Sequence, residues 1–160
     1  MPIINNTESN AKIEIILLNN SSLDIDKSRE DFLNWIPFRL KVNAGDMVLK
    51  YSKDVLPAFS VRELKYLINN LNKIIETKSK GNSIERPFEF TSSENLFDLV
   101  IYETGEEKLI YIDFWVNMGS LTNGNVFGFS KGVRFVTELE KFTSFVYEFE
   151  EQFARILDGI

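Results

Sequence analysis

The sequence predicts a single α+β domain, in which an antiparallel sheet of about six to seven strands carries two helices packed on one face. Three observations predict this class: period-two alternation of apolar residues in both halves, two apolar stripes at helical spacing, and the order of the elements. That order is strand, hairpin, helix, strands, helix, without the strict strand–helix alternation that indicates a parallel sheet. A chain of 160 residues is long enough to bury one core of its own.

The first strands are indicated by alternating apolar and polar residues. Residues 12–18 and 36–42 place apolar side chains at every second position, which predicts two half-buried strands. The polar stretch 19–30 between them predicts an exposed connection. Residues 43–46 read NAGD, a typical turn composition, and predict a hairpin that returns through residues 47–51.

The first helix is predicted to begin shortly after Pro57. Ser60 is followed three residues later by Glu63, the spacing of a capping box in which each side chain accepts a hydrogen bond from a backbone N–H of the other residue. Gly81 is expected to end the helix. Apolar residues recur every three or four positions over about five turns and predict one buried helix face: Val61, Leu64, Leu67, Ile68, Leu71, Ile74 and Ile75.

The second half predicts three more strands. Residues 96–103 and 108–118 flank a turn at Gly105, which predicts a hairpin. Residues 126–136 form the third predicted strand, because apolar residues alternate there with glycine and arginine. The apolar positions of this strand are Phe127, Phe129, Val133 and Phe135.

The second helix is predicted at the C-terminal end. Thr137 and Glu140 repeat the capping-box spacing, and we expect the helix to begin there. Its apolar stripe consists of Leu139, Phe142, Val146, Phe149, Phe153 and Ile156. Residues 1–160 are therefore expected to form one domain, with residues 1–10 as a loosely ordered N-terminal segment.

Composition excludes several classes of protein. The chain has no Cys and no His, which removes disulfides, thiolate nucleophiles and the usual zinc sites. Its formal net charge of −6 makes nucleic acid an unfavourable partner. The sequence shows neither a signal-peptide pattern nor an apolar run of membrane-spanning length, so we expect a cytoplasmic protein without a membrane partner.

The sequence contains no recognisable catalytic or phosphate-binding motif, and we expect no cofactor, no metal site and no enzymatic activity. Asp98 and Asp113 fall on adjacent predicted strands, where two carboxylates could support acid–base chemistry or hold a cation. The alternative is that both are solvated charges on a sheet. Two less favoured functions stay open: a carboxylate or metal-based enzyme, and a small-molecule module with an apolar cavity between sheet and helices.

Acidic residues are concentrated in the second half. Residues 1–80 hold 12 basic and 10 acidic residues, whereas residues 81–160 hold 6 and 14, so the halves carry net charges of +2 and −8. Glu148, Glu150 and Glu151 lie on the last predicted helix. They form either a solubilising face or a docking surface for a basic protein.

Three residues of the strand at 108–118 have the composition of an interaction site. Tyr111, Asp113 and Trp115 share the strand face opposite the aliphatic row. Aromatic side chains beside a charge are typical of interface hot spots. The same aromatics could equally fill core beneath the second helix.

The segment DFLNWIPFRLKV, which begins at Asp31, precedes a glycine-turn hairpin and a Ser-x-x-Glu-Leu helix. The second half continues with a strand pair, a strand ending in VRF and a helix with Leu139 and Phe142. Over residues 11–157 this order resembles the WapI-type family of bacterial immunity proteins. The aspartate that usually lies close before the Asn-Trp pair stands three residues before Asn34 in this chain, which is a departure from the family pattern.

The resemblance implies a small cytoplasmic antidote. It would bind the toxin domain of a secreted polymorphic toxin and block that domain without catalysis. For Asn34 and Trp35 we expect a structural role, in which Asn34 satisfies loop backbone groups and the indole of Trp35 covers an edge of the core. The other possibility is that Trp35 contacts the partner.

Overall fold

The computed structural model describes residues 1–8, 10–51 and 54–159. In these ranges it contains nine β-strands, three α-helices and a short 3-10 helix at Asp31–Leu33. The elements in chain order are β1 Ile3–Asn5, β2 Lys12–Leu17, β3 Trp35–Ala44, β4 Met47–Lys50, β5 Ala58–Ser60, α1 Val61–Ser79, β6 Phe88–Thr91, β7 Phe97–Glu103, β8 Leu109–Asn117, α2 Met118–Leu121, β9 Ser130–Glu138 and α3 Leu139–Asp158.

The strands form two antiparallel sheets. The first has the order β1-β2-β3-β4, with β5 also paired to β3, and the second has the order β6-β7-β8-β9. The predicted α+β class is confirmed. The prediction of one sheet of six to seven strands differs from the structure, because each half of the chain pairs its own consecutive strands and α1 separates the two sets.

Phenylalanine rings fill the space between the sheets and the two long helices. The ring centroids of Phe38 and Phe59 are 4.2 Å apart, and those of Phe97 and Phe114 are 4.8 Å apart. Phe149 of α3 meets Phe59 edge-on at 6.3 Å. The six residues predicted to lie in the core are all buried, which confirms the predicted inner faces of α1 and α3: Leu64, Leu67, Leu71, Phe142, Phe149 and Phe153.

Helix α1 begins where the sequence predicts. The Glu63 backbone N–H donates to Ser60 Oγ at 3.2 Å, and the Ser60 N–H donates to Glu63 Oε2 at 3.3 Å, so the capping box is complete. Near the other end of the helix, the buried Lys78 ammonium donates to Glu103 Oε1 at 2.6 Å and to the Glu106 carbonyl at 2.9 Å. These bonds attach α1 to the hairpin between β7 and β8.

Helix α3 begins at Leu139, so the prediction of a capping box at Thr137 is wrong. Thr137 belongs to β9, is fully buried, and donates its hydroxyl to the Asn5 carbonyl at 2.6 Å. The N-cap position is occupied by Glu138, whose side chain makes no capping hydrogen bond. The local signal failed because pairing with β8 continues through Glu138 and fixes this backbone as a strand.

Residues 3–5 form the first strand of the first sheet. Strand β1 pairs antiparallel with β2, and Ile4 is only 3% exposed. Burial of this apolar side chain favours the strand. Among the described residues no helix combines the length and the apolar character needed to cross a membrane.

Candidate protein-binding surface

The second sheet has one face in the core and one face turned away from it. Because side chains alternate along a strand, Ile112 and Phe114 of β8 enter the core while Tyr111, Asp113 and Trp115 point to the opposite side. The strand register adds Tyr102 of β7 beside Tyr111, and Arg134 of β9 beside Asp113. We call Tyr102, Tyr111, Asp113, Trp115 and Arg134 the outer face. The sequence left open whether these aromatic side chains fill the core or lie outside it. The structure places them outside the core.

Asp113 is the centre of the outer face. Its carboxylate accepts hydrogen bonds from Arg134 Nε at 2.7 Å and Nη2 at 2.6 Å, although Asp113 itself is only 6% exposed. Tyr102 and Trp115 lie close enough to favour the ionised carboxylate as well. Burial acts to raise the pKa of Asp113, but these hydrogen bonds and the guanidinium charge outweigh it and hold the pKa below its usual range. The Asp113 carboxylate is therefore ionised, and it is already hydrogen-bonded within the outer face.

The aromatic rings of the outer face are held in fixed positions. Tyr102 and Tyr111 stack with centroids 4.7 Å apart and an angle of 17° between their planes. Burial and the Asp113 charge both raise the pKa of the Tyr102 hydroxyl, so it stays protonated and can donate. Trp115 lies opposite Gly132, where a Cβ would be 1.9 Å from the Phe114 carbonyl oxygen. Only glycine allows β8 and β9 to pair at this point.

The loop between α2 and β9, residues 122–129, exposes apolar side chains. Phe127 is 80% exposed, Phe129 54% and Val126 40%. The predicted strand over 126–136 was wrong in its first four residues, because β9 begins at Ser130. Gly128 adopts φ +89°, a left-handed conformation that interrupts the extended backbone. We call residues 122–129 the Phe127 loop.

Hydrogen bonds hold the Phe127 loop in one conformation. The Thr122 hydroxyl accepts from the Val126 N–H at 2.9 Å and lies 3.0 Å from the Val126 carbonyl, while the Met118 N–H donates to the Phe129 carbonyl at 3.1 Å. Asn117 Oδ1 caps α2 by accepting from the Gly119 N–H at 2.8 Å. The loop therefore presents its phenylalanines on an ordered backbone. The sequence predicted a strand for residues 126–129, and Gly128 was the available signal for a loop there.

The Phe127 loop and the outer face are neighbours. Strand β9 leaves the loop at Ser130, which pairs with Asn117, and two residues later Gly132 pairs with Trp115. Two residues on a strand span roughly 7 Å. The exposed phenylalanines thus lie within a few residues of the Trp115 end of the outer face along the chain, and we use the name aromatic surface for the outer face and the Phe127 loop taken together.

The acidic candidates of α3 lie on another side of the molecule. Glu148 pairs with the amino group of Met1, and the Glu150 carboxylate accepts from Asn72 Nδ2 at 3.1 Å. Glu151 accepts from Arg155 at 2.8 Å. Because α3 packs its phenylalanines into the core that the outer face turns away from, these carboxylates and the aromatic surface do not share one face.

The two aspartates considered for chemistry have separate partners. Asp98 and Asp113 project from the same face of the sheet, as the predicted hairpin implies. Asp98 accepts from the Thr91 hydroxyl at 2.6 Å, whereas Asp113 is held by Arg134. Within the described ranges no three acidic residues approach one another closely enough to hold a metal ion.

A surface groove lies beside the C-terminal half of α1. It has a volume of about 630 Å³ and a mostly polar lining: Asn70, Lys73, Ile74, Thr77, Asn82, Ser83, Ile84, Glu85 and Phe88. Between the sheets and helices, phenylalanine rings such as those of Phe59 and Phe97, which meet edge-on at 5.8 Å, fill the core instead.

Asn34 and Trp35 anchor the connection before β3. Asn34 is buried, its Oδ1 accepts from the Asp26 N–H at 2.8 Å, and its Nδ2 donates to the carbonyls of Arg29 and Glu30, both at 3.4 Å. Trp35 is partly buried and exchanges two backbone hydrogen bonds with Asp24, at 2.8 and 3.1 Å. Asn34 therefore satisfies backbone groups of the exposed connection.

The protein is thus a small α+β domain with an ordered aromatic surface. The carboxylates described above pair with other groups of the same chain. The family model of the Immunity protein WapI-like family matches residues 3–157, and the chain belongs to this family. The resemblance seen in the sequence is confirmed over nearly the whole chain. No curated protein matches the chain.

Proposed function

We propose that this chain is a non-catalytic immunity protein that binds the toxin domain of its cognate secreted toxin and blocks it in the cytoplasm. The family match over residues 3–157 carries the proposal, because immunity proteins have toxin partners in general. Binding requires no cofactor, nucleic acid or membrane. The toxin is inhibited by occlusion of its working surface.

The aromatic surface is the proposed contact. Exposed aromatic side chains beside an arginine are a composition in which binding energy concentrates. Phe127 and Phe129 expose more than half of their area on an ordered loop, so binding them costs little conformational entropy. Tyr111 and Trp115 extend the contact along β8, and Asp113 fixes their surroundings through Arg134.

The carboxylates of α3 have a different part in the proposal. Glu148, Glu150 and Glu151 belong to the half of the chain with net charge −8, and a field of this sign attracts a basic partner over about a Debye length. Their contribution is to the rate of association. The aromatic surface determines how long the complex lasts.

Co-expression with the C-terminal domain of a secreted toxin, sought in the reading frames next to this gene, tests the function directly. Cells that carry both genes are expected to grow, and the purified proteins are expected to form a complex measurable by calorimetry. Phe127→Asp should weaken the complex, whereas Val48→Asp, at a 52% exposed residue of the other sheet, should not. Growth arrest despite normal levels of the folded chain, together with no measurable complex, would refute the proposal.

A further inference from the structure

Strand β9 is the last strand of the second sheet, and one of its long edges faces away from β8. Backbone hydrogen bonds fix its register against β8 at both ends. The Leu139 N–H donates to the Lys108 carbonyl at 2.8 Å, and the Met118 N–H donates to the Phe129 carbonyl at 3.1 Å. In an antiparallel pair, successive residues direct their backbone groups alternately toward and away from the partner strand. The residues of β9 whose N–H and C=O point away from β8 are therefore Ser130, Gly132, Arg134, Val136 and Glu138.

One part of this edge already carries an extended segment of the same chain. The Thr7 N–H and hydroxyl both donate to the Val136 carbonyl at 3.0 Å, and the Thr137 hydroxyl donates to Asn5 at 2.6 Å. Among the residues that the structure describes, no hydrogen bond reaches the outward N–H and C=O groups of Ser130, Gly132 or Arg134. We call residues 130–134 the open edge.

The open edge carries Lys131, a charge of the kind that protects sheet edges, but within the described residues it has no proline, bulge or hydrogen-bonded cover. Natural proteins cover or interrupt such strands, because unpaired N–H and C=O groups template the addition of another strand. Here Ser130, Lys131 and Arg134 are exposed, and the stretch contains neither proline nor a break in its pairing with β8. The exposed phenylalanines of the Phe127 loop lie directly before it.

The side chains around the open edge indicate what fits there. Lys131 and Arg134 are its charged residues, and Arg134 is already committed to Asp113. Lys131 is exposed and has no acidic partner among the ion pairs of the described residues. Gly132 has no side chain, so a residue of an added strand can reach across it to Trp115.

We infer that the toxin domain adds an extended strand to the open edge, with a carboxylate near Lys131 and an apolar side chain over Gly132 against Trp115. The inference rests on the proposed function and specifies how the partner is held. A second copy of this chain fits less well. Two open edges paired about Gly132 would make the two Lys131 side chains diagonal neighbours of like charge.

Amide hydrogen exchange, read residue by residue by NMR, tests the inference with the full chain and the toxin domain that passes the co-expression test. In the free protein the Gly132 and Arg134 amides should exchange rapidly, whereas the Val133 amide, directed toward β8, should be slow. In the complex the Gly132 and Arg134 amides should slow by at least about tenfold, because each gains a hydrogen bond. Unchanged exchange at both amides in a formed complex would overturn the inference and leave the proposed function intact.

A charge variant gives a second readout. Lys131→Glu should weaken the complex by about fivefold or more, since it places like charges together, while Lys41→Glu, an exposed lysine of β3, should have little effect at equal net charge. Equal affinities for the two variants would contradict the placement of the carboxylate. Protection of Gly132 and Arg134 that grows with the concentration of this chain alone would assign the open edge to a second copy and overturn the inference. Absence of any complex would instead refute the proposed function.

Discussion

Asp113 on β8 and Arg134 on β9 lie opposite each other, and two charge-assisted hydrogen bonds of 2.7 and 2.6 Å join them across the outer face. The carboxylate is nearly buried, whereas the side chain of Arg134 is 57% exposed. Such a pair fixes position more than it adds stability. The side chains of Tyr102 and Trp115 lie beside the same carboxylate, so the pair also fixes their surroundings.

Asp113→Asn should destabilise the fold by about 1–3 kcal/mol, because a buried carboxylate with several donors loses its charge-assisted hydrogen bonds. Urea denaturation measures the change. Asp98→Asn is the matched control, since Asp98 lies on the same sheet face and accepts a single exposed hydrogen bond from Thr91. Equal losses in the two variants would show that the Asp113 cluster has no special structural role.

The Lys78–Glu103 ion pair should make the free energy of unfolding depend on pH in the acidic range. Burial acts to raise the pKa of Glu103, but the Lys78 ammonium and the N–H groups of Ile84 and Gly105 lower it to about 2, from 4.5. A carboxyl group with a depressed folded-state pKa stabilises the protein above its unfolded pKa. This contribution should disappear as the pH falls from about 4.5 toward 2.

The measurement compares the free energies of unfolding of the wild type and Glu103→Gln between pH 6 and pH 2. The difference should be largest at pH 6 and shrink below pH 4.5. Glu107→Gln, at an exposed position of the same hairpin, should follow the wild type throughout. A difference independent of pH would contradict the depressed pKa of Glu103.

Phe149→Ala should cost about 3–5 kcal/mol, because it opens a cavity where α3 meets the first sheet. Phe149 is fully buried and contacts the rings of Phe59 and Phe145. Tyr147→Ala on the same helix removes a ring that is 62% exposed and should change stability much less. Near-wild-type melting of Phe149→Ala would show that the inner face of α3 is placed wrongly.

Reversal of Glu148, Glu150 and Glu151 to lysine should slow association with the toxin domain and flatten its salt dependence, with a smaller effect on dissociation. Stopped-flow binding at two ionic strengths separates the rates. Because each carboxylate has an intramolecular partner, the melting temperature must be measured in parallel. The control reverses three exposed acids outside α3: Glu85, Glu106 and Glu107. Unchanged rates would leave the acidic residues of α3 as a solvated face.

Trp35→Ala should lower stability more than it lowers the affinity of the folded fraction for the toxin domain. Trp35 is partly buried and its backbone bridges to Asp24, so its indole is expected to cover the core beside β5. Thermal melting and calorimetry on the same sample compare the two effects. A large loss of affinity with unchanged melting would make Trp35 a contact residue.

Local sequence signals predicted the parts of the fold that depend on local interactions. Ser60 and Glu63 form their capping box within one turn, and the stripe containing Leu64 needs only helical periodicity. Thr137 has the same local signal, but its backbone pairs with β8 and its hydroxyl reaches Asn5, 132 residues away. Long-range pairing overrides a local cap because it satisfies more buried backbone groups.

The candidate site also combines features that the local sequence predicts with features that depend on long-range strand pairing. Alternation along one strand places Tyr111, Asp113 and Trp115 on a shared face, as the sequence predicted. The neighbours Tyr102 and Arg134 depend on the register between strands, which a single sequence does not contain. Their roles required the structure.

The contacts of Asn5 and Thr7 with β9 determine when a newly synthesised chain can complete its fold. These pairs join residues separated by 132 and 129 positions in the sequence. The contacts of the N-terminal residues with β9 can therefore form only after the last quarter of the chain has been synthesised. At about 5–20 residues per second, synthesis of that interval takes roughly 7–25 s. During this time β9 is incomplete, so the open edge and the aromatic surface do not exist until synthesis of the chain is nearly finished.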